Sequence, residues 1–264
     1  MHINDIFQNT FKAIGQQLGL RVRMVDGHLQ IKDLMHHPMW VRPLSAKSSF
    51  CRAVVQCGIL TQRQMVHAAW RYRLGRSKDD AVIYWQIDQL GQVHDGKLMW
   101  YGPDCHRIKG KKATWAMYLL KNYFNIPQET FQATHVFFGL HLLSHPTPGP
   151  VTVCIVEAEK TAIILSELYP QHIWLAAGGL FELQPQKFIA LKHYKVVLFP
   201  DTDSDCKGYT IWYNTAQQVM QSFLWPKSNV IHVSDFLERH ATAEQKERKI
   251  DLVDFIIESR SKST

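Results

Sequence analysis

The positions richest in chemistry are acidic. Glu157 directly follows the run Val151-Thr152-Val153-Cys154-Ile155-Val156. Asp201 and Asp203 follow Val196-Val197-Leu198-Phe199-Pro200, separated by Thr202, and Asp205 comes two residues later. Apolar, β-branched runs of this kind predict buried strands, so the carboxylates are expected at strand ends. In an open parallel α/β sheet, ligands bind outside the carboxyl ends of the strands, and neighbouring strands lie about 5 Å apart. If these two strands are neighbours, Glu157 and the Asp201/Asp203 pair converge. Clustered carboxylates resist ionisation unless a cation neutralises them, and hard oxygen ligands suit Mg²⁺ or Mn²⁺ shared with substrate phosphates. A metal-phosphate site is the sharp expectation. Taken singly, any of these acids also reads as a helix cap or turn residue. Lys160 is a partner for a phosphate or for a carboxylate, and Gly178-Gly179 permits a close phosphate approach or simply a turn. Asp251 and Asp254, three residues apart on one face of the expected last helix, read first as solvated acids and otherwise as acids that support the site from behind its ligands.

The elements that must position these groups alternate. After residue 150, strand-like runs at 151–156, 173–176, 196–199 and 230–233 are separated by helical patterns near 160–168, 185–191 and 209–223. Near-continuous apolar strands between helices predict a parallel sheet covered on both faces with right-handed crossovers. A last helix is expected after the capping box Thr242-Ala243-Glu244-Gln245, carrying Ile250, Leu252, Val253, Ile256 and Ile257. Upstream, residues 4–18 have apolar side chains at helical spacing, and Thr61-Gln62-Arg63-Gln64 opens a helix running to about Tyr72. Residues 81–87 and 93–101 flank the turn Asp88-Gln89-Leu90-Gly91 as a hairpin, and a helix spans about 113–123. Residues 136–143 are apolar but ambiguous, and 19–58 resist assignment. The cluster Pro146-Thr147-Pro148-Gly149-Pro150 marks a boundary between a region 1–148 and a region 149–264.

The two regions differ in charge. Residues 1–148 hold 18 basic and 9 acidic side chains, a net of +9, leaving 12 and 14, a net of −2, for residues 149–264. A basic half suits a polyanion, because Lys and Arg contacts to phosphates release counterions. Arg73, Lys97, Arg107, Lys109, Lys111 and Lys112 are the candidate contacts, with Trp70, Tyr72, Trp100 and Tyr101 as aromatic faces for unpaired bases. The whole 264-residue composition, 46% hydrophobic with 14 Gly and 11 Pro, excludes collagen-like and low-complexity classes. No apolar run reaches the ~20 residues of a membrane span, and no signal-peptide pattern opens the chain, so a cytoplasmic protein is expected. Five cysteines without a CxxC pair predict reduced thiols and no zinc ribbon. No GxSxG, P-loop or supported GxGxxG occurs, which removes serine hydrolase, Walker ATPase and dinucleotide readings.

The segment Ile155-Val156-Glu157-Ala158-Glu159-Lys160-Thr161-Ala162, followed by Leu198-Phe199-Pro200-Asp201-Thr202-Asp203, resembles the toprim domain shared by bacterial DnaG-type primases, topoisomerases and some nucleases. The resemblance covers roughly residues 150–255. It implies a Rossmann-like toprim fold of about four parallel strands, preceded by a smaller basic α+β domain. It also implies Glu157 as acid/base or metal ligand, Asp201 and Asp203 as metal ligands, and Lys160 as an electrostatic helper. Ala158 stands where the family usually has Gly, and Gly208 lies further from the Asp-x-Asp than in primases. The hairpin 83–93 with Lys97, Arg107, Lys109 and Phe137-Phe138-Gly139-Leu140 is similar to the basic subdomain before toprim in primases. Over residues 50–257, Tyr72-Arg73-Leu74-Gly75, Asp95-Gly96-Lys97-Leu98-Met99 and Trp174-Leu175-Ala176 also resemble an uncharacterised toprim-like family of bacterial mobile elements. The implied function is Mg²⁺- or Mn²⁺-dependent nucleotidyl transfer or strand cleavage on single-stranded or opened DNA, with RNA an open substrate and a helicase or mobilisation protein an expected partner. The competing expectation is a non-catalytic DNA-binding accessory protein that keeps the toprim fold as a phosphate-docking module.

Overall fold

The structure, a computed structural model, describes residues 21–25, 28–32, 34–37, 40–42, 44–130, 133–144 and 150–261. The amphipathic pattern at 4–18 lies outside these residues, as does most of the proline cluster. The chain divides into two compact units, one of residues 1–136 and 140–144, the other of residues 137–139 and 145–264.

The first unit is built on an antiparallel five-stranded sheet in the order β3 (Trp40–Arg42), β4 (Gly75–Ser77), β5 (Val82–Ile87), β6 (Val93–Met99), β7 (Thr114–Trp115). A separate hairpin pairs β1 (Arg21–Val25) with β2 (His28–Lys32). The expected hairpin is β5–β6, and every residue of β5 is buried because both faces are covered. Ile83, Trp85 and Ile87 point to a core with Leu98 and with Ala116, Met117 and Leu120 of α3 (Ala116–Tyr123). On the other face Tyr84 meets Phe50 edge-on, from α1 (Ser49–Gln56). The helix α2 (Gln62–Arg71) opens on the Thr61/Gln64 capping box that its sequence predicts. Trp85 needs room across the sheet. A Cβ at Gly96 would stand 2.5 Å from its Cε3, and one at Gly75 2.5 Å from its Nε1, so glycine at both positions reflects close packing.

The second unit contains a wholly parallel four-stranded sheet, order β11 (Ile231–Val233), β10 (Lys195–Phe199), β8 (Thr152–Val156), β9 (Ile173–Ala176). Helices flank it: α4 (Glu159–Leu168) packs on β8 and β9, and α5 (Lys207–Gln221) on β11. Leading β8 is central, as its Val-Cys-Ile-Val run requires. Two expected helices differ. Residues Pro185–Leu191 form a 3-10 helix rather than an α-helix. The last helix is broken in two: α7 (Ala243–Glu247), after α6 (Phe236–His240), ends before Lys249, whose φ is +55°, and α8 (Leu252–Ser261) starts afresh. Its start is a reciprocal cap, in which Asp254 N donates to Asp251 Oδ1 at 2.9 Å and Asp251 N to Asp254 Oδ2 at 3.2 Å. The ambiguous segment 136–143 splits between units. Phe138 exchanges backbone hydrogen bonds with Ala176 of β9, while Leu140–Ser144 is a 3-10 turn.

Candidate functional site

The order of the parallel sheet selects its own crevice. From β8 the chain steps to β9 on one side, then crosses to β10 on the other, so the connections diverge between β8 and β10. At such a reversal the loops leaving the two carboxyl ends part and leave a ligand crevice. β8 and β10 are hydrogen-bonded neighbours with Phe199 opposite Val156. Glu157 and Asp201 therefore leave the sheet on either side of the reversal.

The structure brings Asp201 within electrostatic reach of Glu157, Asp251 and Asp254, together with one cation, Lys160. Burial, then the charges of Glu157 and Asp251, push the Asp201 carboxyl well above the usual carboxylate range, against the opposing pull of Lys160. Strongly perturbed acids in a crevice are a mark of functional sites. Lys160 Nζ lies 3.3 Å from Asp251 Oδ2 and 3.7 Å from Asp254 Oδ1. Asp251, 3% exposed, also accepts the Thr161 hydroxyl at 2.6 Å. The solvated reading of Asp251 is thus wrong: it caps α8 and ties that helix to α4.

Asp203 has a different role. Its Oδ1 accepts from the backbone N–H groups of Asp205 at 3.0 Å and Lys207 at 2.9 Å, and its Oδ2 from Gly208 at 2.8 Å. Desolvation raises its pKa, but these three donors outweigh that and hold it below the ordinary value. The carboxylate anchors the start of α5. Gly208 makes that possible, because a Cβ there would lie 2.7 Å from the Asp201 carbonyl oxygen. The displaced glycine thus serves close backbone approach at its own spacing. Glu238 pins the same loop, accepting from the Thr202 hydroxyl at 2.9 Å and the Cys206 thiol at 3.2 Å. On the β9 side of Glu157, Gly178, at φ +101°, donates to the Glu157 carbonyl at 3.0 Å.

Among the described residues no three His, Cys, Asp or Glu side chains are grouped to hold a metal ion. Both Asp203 oxygens are engaged by backbone donors, and the cation beside Asp251 and Asp254 is an ammonium. As arranged, these residues do not fit the octahedral oxygen shell of Mg²⁺.

In the first unit, the β6–β7 connection forms a basic arm. Residues 106–113 are all exposed, including Arg107, Lys109, Lys111 and Lys112. A bridge between Tyr101 and Arg107 and the bond from Ile108 N to Trp100 O close its base. Lys111 Nζ stands 5.0 Å over the Trp100 ring, whose Nε1 is anchored on Asp79 Oδ2 at 3.0 Å. Two other candidates lie elsewhere: Lys97 is half-buried in β6, opposite Tyr84 and Trp115, and Arg73 is exposed after α2. Of the four aromatic candidates, Tyr72 and Tyr101 are buried and Trp70 is 60% exposed. Sequence reasoning missed Lys187, buried where its ammonium donates to the Glu182 carbonyl at 2.8 Å, and no motif marked it.

The sequence profile of a family described as a domain of unknown function, DUF6371, matches residues 48–202. The chain belongs to the DUF6371 family. The family match runs from the cap of α1 through Thr202, so Glu157, Lys160 and Asp201 fall inside it, and Asp203, Asp251 and Asp254 outside. No curated protein matches this DUF6371 chain. Among solved structures it is similar to the primase fragment of the bacteriophage T7 primase-helicase protein, with 15% identity and TM-score 0.41 over 64% of this chain and 60% of that one. The chain thus spans less than two thirds of that relative. It is also similar, with 16% identity and TM-score 0.41, to a chain in a structure of bacteriophage T7 lagging-strand DNA polymerase interacting with primase domains of two gp4 subunits bound to an RNA/DNA hybrid and dTTP. That match covers 69% of this chain and 83% of that one.

Asp201 carries a pH dependence of known sign. An acid whose folded pKa is raised stabilises the fold below its unfolded pKa of about 4, and that contribution is lost as pH rises through the raised value. At neutral pH its ionisation opposes folding. Asp201→Asn therefore raises the unfolding midpoint at neutral pH by a few degrees, and the gain shrinks toward about pH 4. Calorimetry at both pH values checks this, and a lowered neutral-pH midpoint contradicts it.

Proposed function

We propose that this DUF6371 chain is a nucleic-acid-binding protein that holds single-stranded or locally opened DNA through the arm at residues 106–113. Its parallel-sheet unit is a toprim-type module without resident metal chemistry. The observation that carries this reading is the arm itself: Arg107, Lys109 and Lys112 are exposed and, among the described residues, in no ion pair, and Lys111 Nζ stands over the Trp100 ring. Cations presented in this way match a phosphate chain. Trp70 supplies an exposed face for a base. Arg76 adds little, since Asp80 binds both it, at 2.7 Å, and Arg52.

A second reading, a Mg²⁺- or Mn²⁺-dependent nucleotidyltransferase or nuclease centred on Glu157, Asp201 and Asp203, is favoured by one observation. Glu157 and Asp201 flank the crevice, and Asp201 lies within electrostatic reach of more acids than lysines. Glu157→Gln separates the two. Single-stranded DNA binding followed by anisotropy should stay within about twofold of the native chain, with no Mg²⁺-dependent nucleotide incorporation or cleavage by either protein. Native activity lost in the variant establishes the enzyme instead. A native chain that fails to bind DNA removes the first reading.

A further inference from the structure

Asp251 and Asp254 are locked before they meet Lys160. Their reciprocal cap uses one oxygen of each carboxylate on the backbone N–H of the other, and the Thr161 hydroxyl fixes the second oxygen of Asp251. Thr161 is fully buried and Asp251 nearly so. The Lys160 ammonium thus docks into a preformed pair of acceptors, 3.3 Å and 3.7 Å away, and its side chain is only 19% exposed. It reaches them from the first turn of α4, three residues past Glu157. Lys160 pairs with two carboxylates, Asp251 and Asp254, and both of these lie, with Glu157 and Lys160 itself, within electrostatic reach of the buried Asp201. Such a group demands a cation, and the chain supplies its own.

We propose that Lys160 is the resident cation of the carboxylate centre, its ammonium standing where a divalent ion would otherwise bind and excluding such ions from the native chain. Asp251 and Asp254 are then positioning residues, and α8 controls the centre by holding the lysine in place. A tethered ammonium has an advantage over a hydrated ion, since its translational freedom is already lost on folding, whereas Mg²⁺ must shed water to replace it. The inference rests on reading the crevice acids as a cation-seeking centre, and it goes beyond the DNA-binding reading by stating what fills that centre.

Mn²⁺ titration of the full-length chain, read by electron paramagnetic resonance, tests this directly. The native chain should show no saturable Mn²⁺ binding, whereas Lys160→Met should gain one site at least about tenfold tighter, lost again when Glu157→Gln is added. Lys160→Gln serves the same purpose if the methionine variant does not fold, and Lys160→Arg should restore exclusion. Native binding of one Mn²⁺ as tight as in the variants overturns the proposal, as does failure of folded Met and Gln variants to take up Mn²⁺. Single-stranded DNA binding by the same samples keeps the readings apart. Native DNA binding with a failed Mn²⁺ result leaves only this inference refuted, and a gained Mn²⁺ site without native DNA binding refutes only the other.

Discussion

Alanine at Arg107, Lys109, Lys111 and Lys112 together lowers affinity for single-stranded DNA about 100-fold near physiological salt and reduces the log-log salt slope by about 3. Each phosphate neutralised on a single strand contributes a slope of about 0.7 through counterion release, and four cations leave the arm at once. These side chains are exposed, so the fold should change by no more than about 0.5 kcal/mol for each surface replacement. Lys111 gives up a cation–π contact worth about 0.5–1 kcal/mol at an exposed site. Anisotropy titrations across a salt series provide the measurement. An affinity loss with an unchanged slope, or no loss, removes the arm as the phosphate contact.

Gly96→Ala destabilises the first unit by about 3 kcal/mol, the upper part of the usual range for overpacking. The added methyl group would meet Trp85 Cε3 at 2.5 Å, Cζ3 at 2.6 Å and Ile83 Cγ2 at 2.8 Å. None of these can yield easily. Trp85 is fully buried, and Trp40 packs against it with ring centroids 5.8 Å apart. Urea unfolding provides the test. Trp85→Leu, itself destabilising, should make the alanine cheaper than in the native background, because the clash and the cavity offset one another. Equal costs in both backgrounds exclude the ring as the cause.

The parallel sheet was legible because each strand is a short β-branched run between helical patterns, but the adjacency of β8 and β10 entered the sequence reading only as a condition, and the strand pairing supplies it. Asp203 shows the limit. A carboxylate four residues past a strand reads equally well as ligand or cap, and only the path of the chain into α5 decides. Asp251 and Asp254 carried a usable signal, an acid pair at cap spacing before an apolar run. It was obscured because helical periodicity continues across Lys249, where the backbone turns left-handed. The basic arm was readable from charge density. The burial of Tyr101 beside the exposure of Trp70 was not, because it depends on sheet register and helix face rather than composition.

Phe137–Gly139 precede the proline cluster yet belong with the parallel sheet. Phe138 exchanges two main-chain bonds with Ala176, at 3.0 and 3.1 Å, and Phe137 meets Phe188 edge-on, with centroids 5.4 Å apart. This short piece covers part of the outer side of β9, beyond which, among the described residues, no other strand pairs. A fragment trimmed to begin at Gly149 would bare those amide and carbonyl groups and invite sticky, self-associating preparations. One reaching back to Val136 would keep its selvedge hemmed.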